Sequence, residues 1–397
     1  MAEANVHLPS LLVFADDWGR HPSSCQHLIR QLLDRYRVWW VNTIGMRSPR
    51  LDLATLLRGW EKLRHWSGRS NDVTLPVNLR VVNPRMWPWL TRRFDRWLNQ
   101  RLLLRQLGPL VRSLPSPVVA VTTLPIVADL MGPLPVDRWV YYCVDDFGQW
   151  PGLDQVPLRQ MEEEVIRRAD TLIAAGATLQ ERLARMGRDS YLLTHGVELE
   201  FWQGNGPTAD LPALEGLERP LVVFWGVIDR RMDVAFVQRL GADLKQGTVV
   251  LAGPDSDPDP ALFRADRVVR LPPLPFGQLP QLGRAAAVLI MPYADLPVTR
   301  AIQPLKLKEY LATGKPTVVR DLPANRAWAD CLDLASTPEE FARAVLLRLE
   351  TGLPEEQRRA RARLAEEGWS AKARAFEEWA LGADRSTGDC NRTTKGG

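Results

Sequence analysis

Short apolar runs alternate with helical patterns from one end of the chain to the other. In the first half, "LLVFA" (11–15), "RVWWVNTI" (37–44), "LRVVNP" (79–84), "PVVAVTT" (117–123), "RWVYYCVDD" (138–146), "TLIAAG" (171–176) and "SYLLTHG" (190–196) predict strands. Helical stretches such as "LRQMEEEVIRRA" (158–169) and "ATLQERLARMG" (177–187) separate most of them. A second series runs "LVVFWGVI" (221–228), "GTVVLAG" (247–253), "RVVRLPPL" (267–274), "AVLIMPYA" (287–294) and "PTVVRDL" (316–322). This alternation is the signature of parallel sheets covered by helices. The stretch between the two series, "VELEFWQGNGPTADLPALEGLERP", has the Gly, Pro and Asp content of a linker.

The pattern predicts an α/β protein of two Rossmann-like domains facing each other across a cleft, with ligands at the carboxyl ends of the strands. The expected division is 1–200 for the first domain, 201–218 for the linker and 219–354 for the second domain. A helical segment, 355–382, carries Leu, Trp and Phe along one stripe and is expected to run back over the first domain. Residues 383–397 are small and polar without periodicity and are expected to form a disordered tail.

Composition supports that division. A chain of 397 residues exceeds what one core comfortably serves, and 45% apolar with 25% charged residues is ordinary for a globular protein. No run of about 18 apolar residues occurs, and "MAEANVHLPS" lacks a basic leader with an apolar core, so the expected location is the cytoplasm. Four separated cysteines (Cys25, Cys143, Cys331, Cys390) without CxxC spacing predict free thiols rather than a disulfide framework or a zinc site. The net charge of +4 is modest, but fifteen tryptophans is a high count for this length.

Those tryptophans cluster with arginine. In "NPRMWPWLTRRFDRWLNQRLLLRQLGPLVRS" (83–113), Trp87, Trp89, Phe94 and Trp97 alternate with Arg85, Arg92, Arg93, Arg96, Arg101 and Arg105. "LLRGWEKLRHWSGR" (56–69) repeats the flavour. Such a helix suits a core-facing position with solvated arginines, or the interface of an anionic membrane, and the second use predicts peripheral attachment at the inner face of the plasma membrane. No nucleic-acid-binding pattern accompanies the arginines.

The most chemical stretch is "QPLKLKEYLATGKPTVV" (303–319). On a helix starting near Gln303, Leu305, Glu309 and Ala312 share a face, with Lys306 beside it. A carboxylate there either pairs with Lys306 or Lys308 on a solvated surface, or is buried and accepts hydrogen bonds, as from a ribose diol.

This stretch resembles the nucleotide-contacting motif of GT-B glycosyltransferases, especially those like glycosyltransferase family 4. The resemblance continues in "SYLLTHGVELEFW" (190–202), similar to the domain-closing segment with His195 where Asn is usual. It continues again in "LVVFWGVIDRRMD" (221–233), like a first strand and phosphate loop, and in "VVLAGP" (249–254), like the second strand. Together they cover roughly the second half of the chain in the expected order.

The resemblance implies a glycosyltransferase that needs no metal or cofactor and uses a nucleotide-sugar as donor substrate. It would move the sugar to a glycan or lipid-linked acceptor, as in bacterial cell-surface polysaccharide synthesis. By resemblance Glu309 holds the ribose, while Lys306 and Leu305 with Gly226, Gly253, Arg230 and Arg231 line the donor site. A guanidinium suits a diphosphate because its fork donates two parallel hydrogen bonds. Two departures stand out: the Glu that members often carry eight positions before the ribose Glu is Ala301, leaving Asp295 as the nearest acidic substitute, and no Lys follows "GVIDRRMD".

On the acceptor side, "FADDWGRHPSS" (14–24) follows the first strand, offering Asp16, Asp17, Trp18 and His21 as sugar contacts or, through Asp17 or Ser23, as helix caps. "YYCVDDFGQW" (141–150) takes the place of a His-Asp pair in relatives and makes Asp145 or Asp146 the candidate catalytic base, or else a turn. Prolines in "PDSDPDP" (254–260) predict a turn rather than a metal loop. A scaffold subunit that has lost activity, favoured by Ala301, and a sugar-nucleotide epimerase are the alternative functions.

Overall fold

The computed structural model describes residues 8–19, 23–42, 75–149, 155–204 and 211–382. It divides into two compact units: within the described residues, one takes those of Met1–Ala175, Leu179–Leu193 and Ala373–Gly397, the other Gly176–Thr178 and Thr194–Lys372. Each is a parallel sheet with helices, so the α/β expectation holds in both.

In the first unit, strands β1 (Ser10–Ala15), β2 (Val38–Asn42), β3 (Leu79–Val82), β4 (Val118–Thr122), β5 (Arg138–Cys143), β6 (Thr171–Ala174) and β7 (Tyr191–Leu192) order as β3-β2-β1-β4-β5-β6-β7. All pairs are parallel. Leu11, Leu12, Val13, Val140 and Ile173 are fully buried, as sheet centres covered on both faces require. Helix Ser24–Leu32 follows β1, and the Ser23 hydroxyl caps it by accepting from the Gln26 N–H.

The last helix, Trp369–Leu381, begins among second-unit residues and ends in the first unit. There Glu377 accepts from the Tyr36 hydroxyl at 2.6 Å and from Arg35 at 2.7 Å, and the Phe376 ring meets Tyr142 edge-on. The apolar stripe read in 355–382 thus serves the first unit over its last part.

In the second unit, β8 (Leu221–Trp225), β10 (Thr248–Ala252), β12 (Val268–Leu271), β13 (Val288–Met291), β14 (Thr317–Arg320) and β15 (Asp333–Ala335) order as β12-β10-β8-β13-β14-β15, again parallel. Two further short strands, β9 (Ile228–Asp229) and β11 (Asp255–Ser256), pair with each other beyond the ends of β8 and β10. The stretch 254–260 therefore holds a strand as well as a turn, and Asp259 caps the following helical turn by accepting from the Ala261 N–H. Asp233 caps helix Val234–Asp243, and Thr337 and Glu340 form a reciprocal cap on helix Pro338–Thr351.

In each sheet the strand order reverses at one place, between β1 and β4 and between β8 and β13. Open α/β sheets bind ligands in the crevice outside the carboxyl ends of the strands at such a reversal. These two places therefore direct the search for a site.

Candidate functional site

At the carboxyl end of β8 the chain turns through Gly226, with φ at +142°, and at the end of β10 through Gly253, with φ at +149°. Both torsions lie where side chains are strained, and neither position has room for one. A Cβ on Gly253 would come within 1.9 Å of the Gly226 carbonyl oxygen, and one on Gly226 within 2.0 Å of the Lys306 ammonium. The two glycines let the backbone pack tightly enough for Lys306 to rest directly on it.

Lys306 enters from helix Leu305–Ala312, donates to the Tyr293 hydroxyl at 2.7 Å and lies over the Phe224 ring at 4.5 Å. Tyr293 follows β13, so the lysine spans the strand reversal. The surrounding loops are tied together: Asp233 N–H donates to Pro292 O at 2.8 Å and Ala294 N–H to Arg231 O at 2.7 Å.

Glu309 lies one turn further along the same helix and is buried. Among the described residues its hydrogen-bond donor is the Trp225 indole, at 3.4 Å. Trp225 is itself held, stacked on Trp202 at 5.5 Å, edge-on to Tyr310 at 4.3 Å, and with its backbone N–H on the Tyr310 hydroxyl at 3.0 Å. Burial pushes the Glu309 carboxyl up to about 7, against the weaker opposing pull of the Trp225 bond and the Lys306 charge. A surface ion pair with Lys306 or Lys308, the alternative open in the sequence, is not what forms.

Lys308 points elsewhere. Its buried ammonium donates to Thr194 Oγ1 at 3.1 Å, to the His195 carbonyl and to Glu367, and desolvation lowers it to about 8. Lys372 completes the cluster on Glu367 at 2.6 Å and Thr194 at 3.0 Å. Beside it, a Cβ on Gly196 would strike the Trp369 ring at 2.7 Å.

Gly226, Gly253, Lys306 and Glu309 thus converge, with Leu305 half-buried at the start of the helix. The remaining donor-side candidates are engaged in ion pairs of their own. Arg231 grips Asp229 through contacts of 2.8 to 3.0 Å, exposed Arg230 sits loosely near Asp257 and Asp259 at 3.4 and 3.8 Å, and Asp295 is forked by Arg300, which lowers its carboxyl.

In the first unit, Asp16 follows β1 and accepts from Ser23 Oγ and Gln26 Nε2, both at 2.9 Å, while desolvation raises its carboxyl. Its side chain organises the start of the next helix. Trp18 stands edge-on to Trp40 at 4.8 Å, under Arg30, and its N–H donates to Asn42 Oδ1 at 3.0 Å. Asp17 is half-buried and its carbonyl accepts from Gln26; His21 lies outside the described residues.

Asp145 and Asp146 follow β5 and are both half-buried. Asp146 lies 3.7 Å from Arg182 and lines a shallow depression with Gln149, Arg159, Glu163 and Arg185. No group of three or more His, Cys, Asp or Glu able to hold a metal occurs among the described residues. Sequence reasoning missed Trp225 and Tyr293, which hold Glu309 and Lys306, and the Asn42–Asn83 pair at 2.8 Å near Trp18. An aromatic at a strand end beside a glycine or proline was the available signal.

Comparison with known proteins agrees with this architecture. No family model matches the chain. A protein of Bacillus subtilis (strain 168) bearing the name teichuronic acid biosynthesis glycosyltransferase TuaH is 28% identical over 177 residues, 42% of this chain and 44% of that protein. The match spans less than half of the relative. Among solved structures, sucrose-phosphate synthase from Thermosynechococcus elongatus aligns with a TM-score of 0.67 at 15% identity, over 93% of this chain and 98% of that one. HepE from Anabaena, in complex with UDP and glucose, aligns at 0.64 and 15% over 94% and 99%. The α,α-trehalose 6-phosphate synthase from Burkholderia multivorans aligns at 0.65 and 14% over 95% and 99%. The shared feature is the fold: two Rossmann-like parallel-sheet domains, the pair that defines the GT-B class.

Proposed function

We propose that this chain is a glycosyltransferase that takes a sugar from a nucleotide-sugar, with a UDP-sugar as the first donor to test, and passes it to a glycan or lipid-linked acceptor in cell-surface polysaccharide synthesis. The observation that carries the reading is Glu309, a buried carboxylate with one long hydrogen bond from Trp225, beside a lysine seated on a glycine turn. A buried carboxylate is costly unless it accepts hydrogen bonds, and the vicinal hydroxyls of a ribose supply two. Lys306, one turn away, neutralises the diphosphate, on which negative charge grows as the glycosidic bond breaks. The solved complexes of HepE with UDP and glucose and the name of the TuaH relative support UDP and polysaccharide synthesis, respectively.

Asp145 or Asp146 remains the proposed acceptor-side base, and Asp16, Asp17, Trp18 and His21 the proposed acceptor contacts. A second reading has specific support: an assembly subunit that binds donor without transferring sugar. Ala301 stands where a sugar-contacting Glu is common, and Asp295 is held by Arg300.

Thermal unfolding against UDP-, GDP-, ADP- and dTDP-sugars, repeated with Glu309→Gln, tests the binding step. A ligand at 100 times its Kd stabilises by about 2.7 kcal/mol. A shift with one base, lost in the variant, supports the site. Binding without turnover by membranes or glycan acceptors selects the scaffold, and no shift with any nucleotide refutes both.

A further inference from the structure

The helix Arg93–Arg112 carries a feature that sugar transfer does not use. Its buried positions, Asp95, Asn99, Leu103 and Leu107, recur every four residues and face the core of the first unit. On the opposite face Phe94, Trp97, Arg101 and Arg105 are all exposed, and Arg93 flanks them. Phe94 is 61% and Trp97 45% exposed, high for large aromatics. They stack on each other at 5.7 Å, with the Arg101 guanidinium over Trp97 at 4.5 Å.

The preceding loop adds Trp87, 38% exposed and paired with Trp89 at 4.7 Å. This loop is pinned from beneath. Asn99 accepts from the Trp87 N–H at 2.7 Å and donates to the Trp87 and Trp89 carbonyls, while Asp95 accepts from the Trp87 indole at 3.0 Å. Buried polar side chains therefore hold the exposed Trp87 in place.

Charge completes the pattern. Residues 85–112 contain seven arginines and one acidic residue, Asp95. Arg96 is taken by Asp129 at 2.7 Å, whereas Arg93, Arg101 and Arg105 have no carboxylate within ion-pair distance among the described residues. No helix among the described residues is long and apolar enough to cross a membrane.

We propose that this face docks on the surface of an anionic lipid bilayer, with Phe94 and Trp97 at headgroup depth and Arg93, Arg101 and Arg105 on lipid phosphates. Tryptophan suits the interface because its ring is apolar and its indole N–H polar, Phe94 adds apolar area, and arginine pairs with phosphate through two parallel hydrogen bonds. The charge is what selects a bilayer over a neutral apolar partner. The proposal is independent of the glycosyl-transfer reading and needs no donor or acceptor to test.

The test is co-sedimentation of the full chain with vesicles of phosphatidylcholine alone or with 30% phosphatidylglycerol, at low salt and at 0.5 M NaCl. Expected are binding to the anionic vesicles only, weakening with salt, and a loss of roughly 100-fold in Arg93→Gln/Arg101→Gln/Arg105→Gln, given about 1 kcal/mol per arginine near an anionic surface. Phe94→Ser/Trp97→Ser should weaken binding roughly tenfold. Brominated lipid should quench wild-type fluorescence more than that of Trp97→Phe, a conservative change that keeps the fold. Equal binding to both vesicles, no binding, or quenching unchanged in Trp97→Phe would overturn the proposal. A dimer at micromolar concentration that Trp97→Ser dissociates would also overturn it, assigning the face to a second copy.

Discussion

Glu162 in the first unit and Glu309 in the second are both buried, and the two are treated in opposite ways. In the first unit Glu162 is fully buried and saturated: Arg182 forks it at 3.0 and 2.7 Å, and the Tyr141 hydroxyl donates at 2.8 Å. In the second, Glu309 is nearly as buried but has the 3.4 Å contact from Trp225, and its carboxyl is pushed up to about 7. A buried charge whose hydrogen-bonding capacity is filled by the protein serves the fold; one left short serves something that arrives later. On the proposed function, the difference separates a structural carboxylate from one that awaits a ribose.

Mutation can reach either glutamate. Glu162→Ala leaves the half-buried Arg182 without its main partner and should cost about 2 to 4 kcal/mol in urea unfolding. A midpoint within error of wild type would mean that Glu162 is dispensable.

For Glu309 the sign reverses. Its folded-state pKa is raised, so the stability it contributes is fully present below about 4.5, its ordinary value, and is lost as pH rises through about 7. Glu309→Gln should therefore match wild type near pH 4.5 and exceed it at pH 8 by up to about 3 kcal/mol without ligand. Equal melting temperatures at pH 8 would show that the carboxylate is not strained in the free protein.

Gly226→Ala places a methyl group against the Lys306 ammonium in a disfavoured backbone region and should cost about 1 to 3 kcal/mol, together with any nucleotide-induced shift in Tm. Retained nucleotide binding would place the diphosphate elsewhere.

If ribose hydroxyls donate to ionised Glu309, UDP-glucose binding pulls its pKa down. Affinity measured by calorimetry should then weaken by up to about fivefold between pH 7 and pH 6, a dependence that Glu309→Gln removes. A flat profile in wild type would separate Glu309 from the ligand.

The sheets were legible because parallel strands covered on both faces read as nearly unbroken apolar runs. All twelve runs read from the sequence contain strand in the structure, from Ser10–Ala15 to Thr317–Arg320. The misses, Ile228–Asp229, Asp255–Ser256 and Asp333–Ala335, are two or three residues long and partly polar, below what periodicity can register. The domain resemblance brought Glu309, Lys306 and Gly226 to notice, but no local pattern distinguishes a solvated Glu309 from a buried one. That distinction rests on Trp225, 84 residues away.

The same long-range pairing hid the partner of another charged candidate. Asp146 lies near Arg182 from a different element, whereas Asp16 is held locally by Ser23 and Gln26. Spacing along the chain does not reveal which charges a fold has already neutralised.

The grouping of Ala373–Gly382 with the first unit sets a timetable for synthesis. Glu377, the partner of Arg35 and Tyr36, leaves the ribosome 341 residues after Tyr36, when every residue of the second unit has already been made. The first unit, although begun earlier, therefore waits for this helix with its Tyr36 and Tyr142 surfaces uncovered.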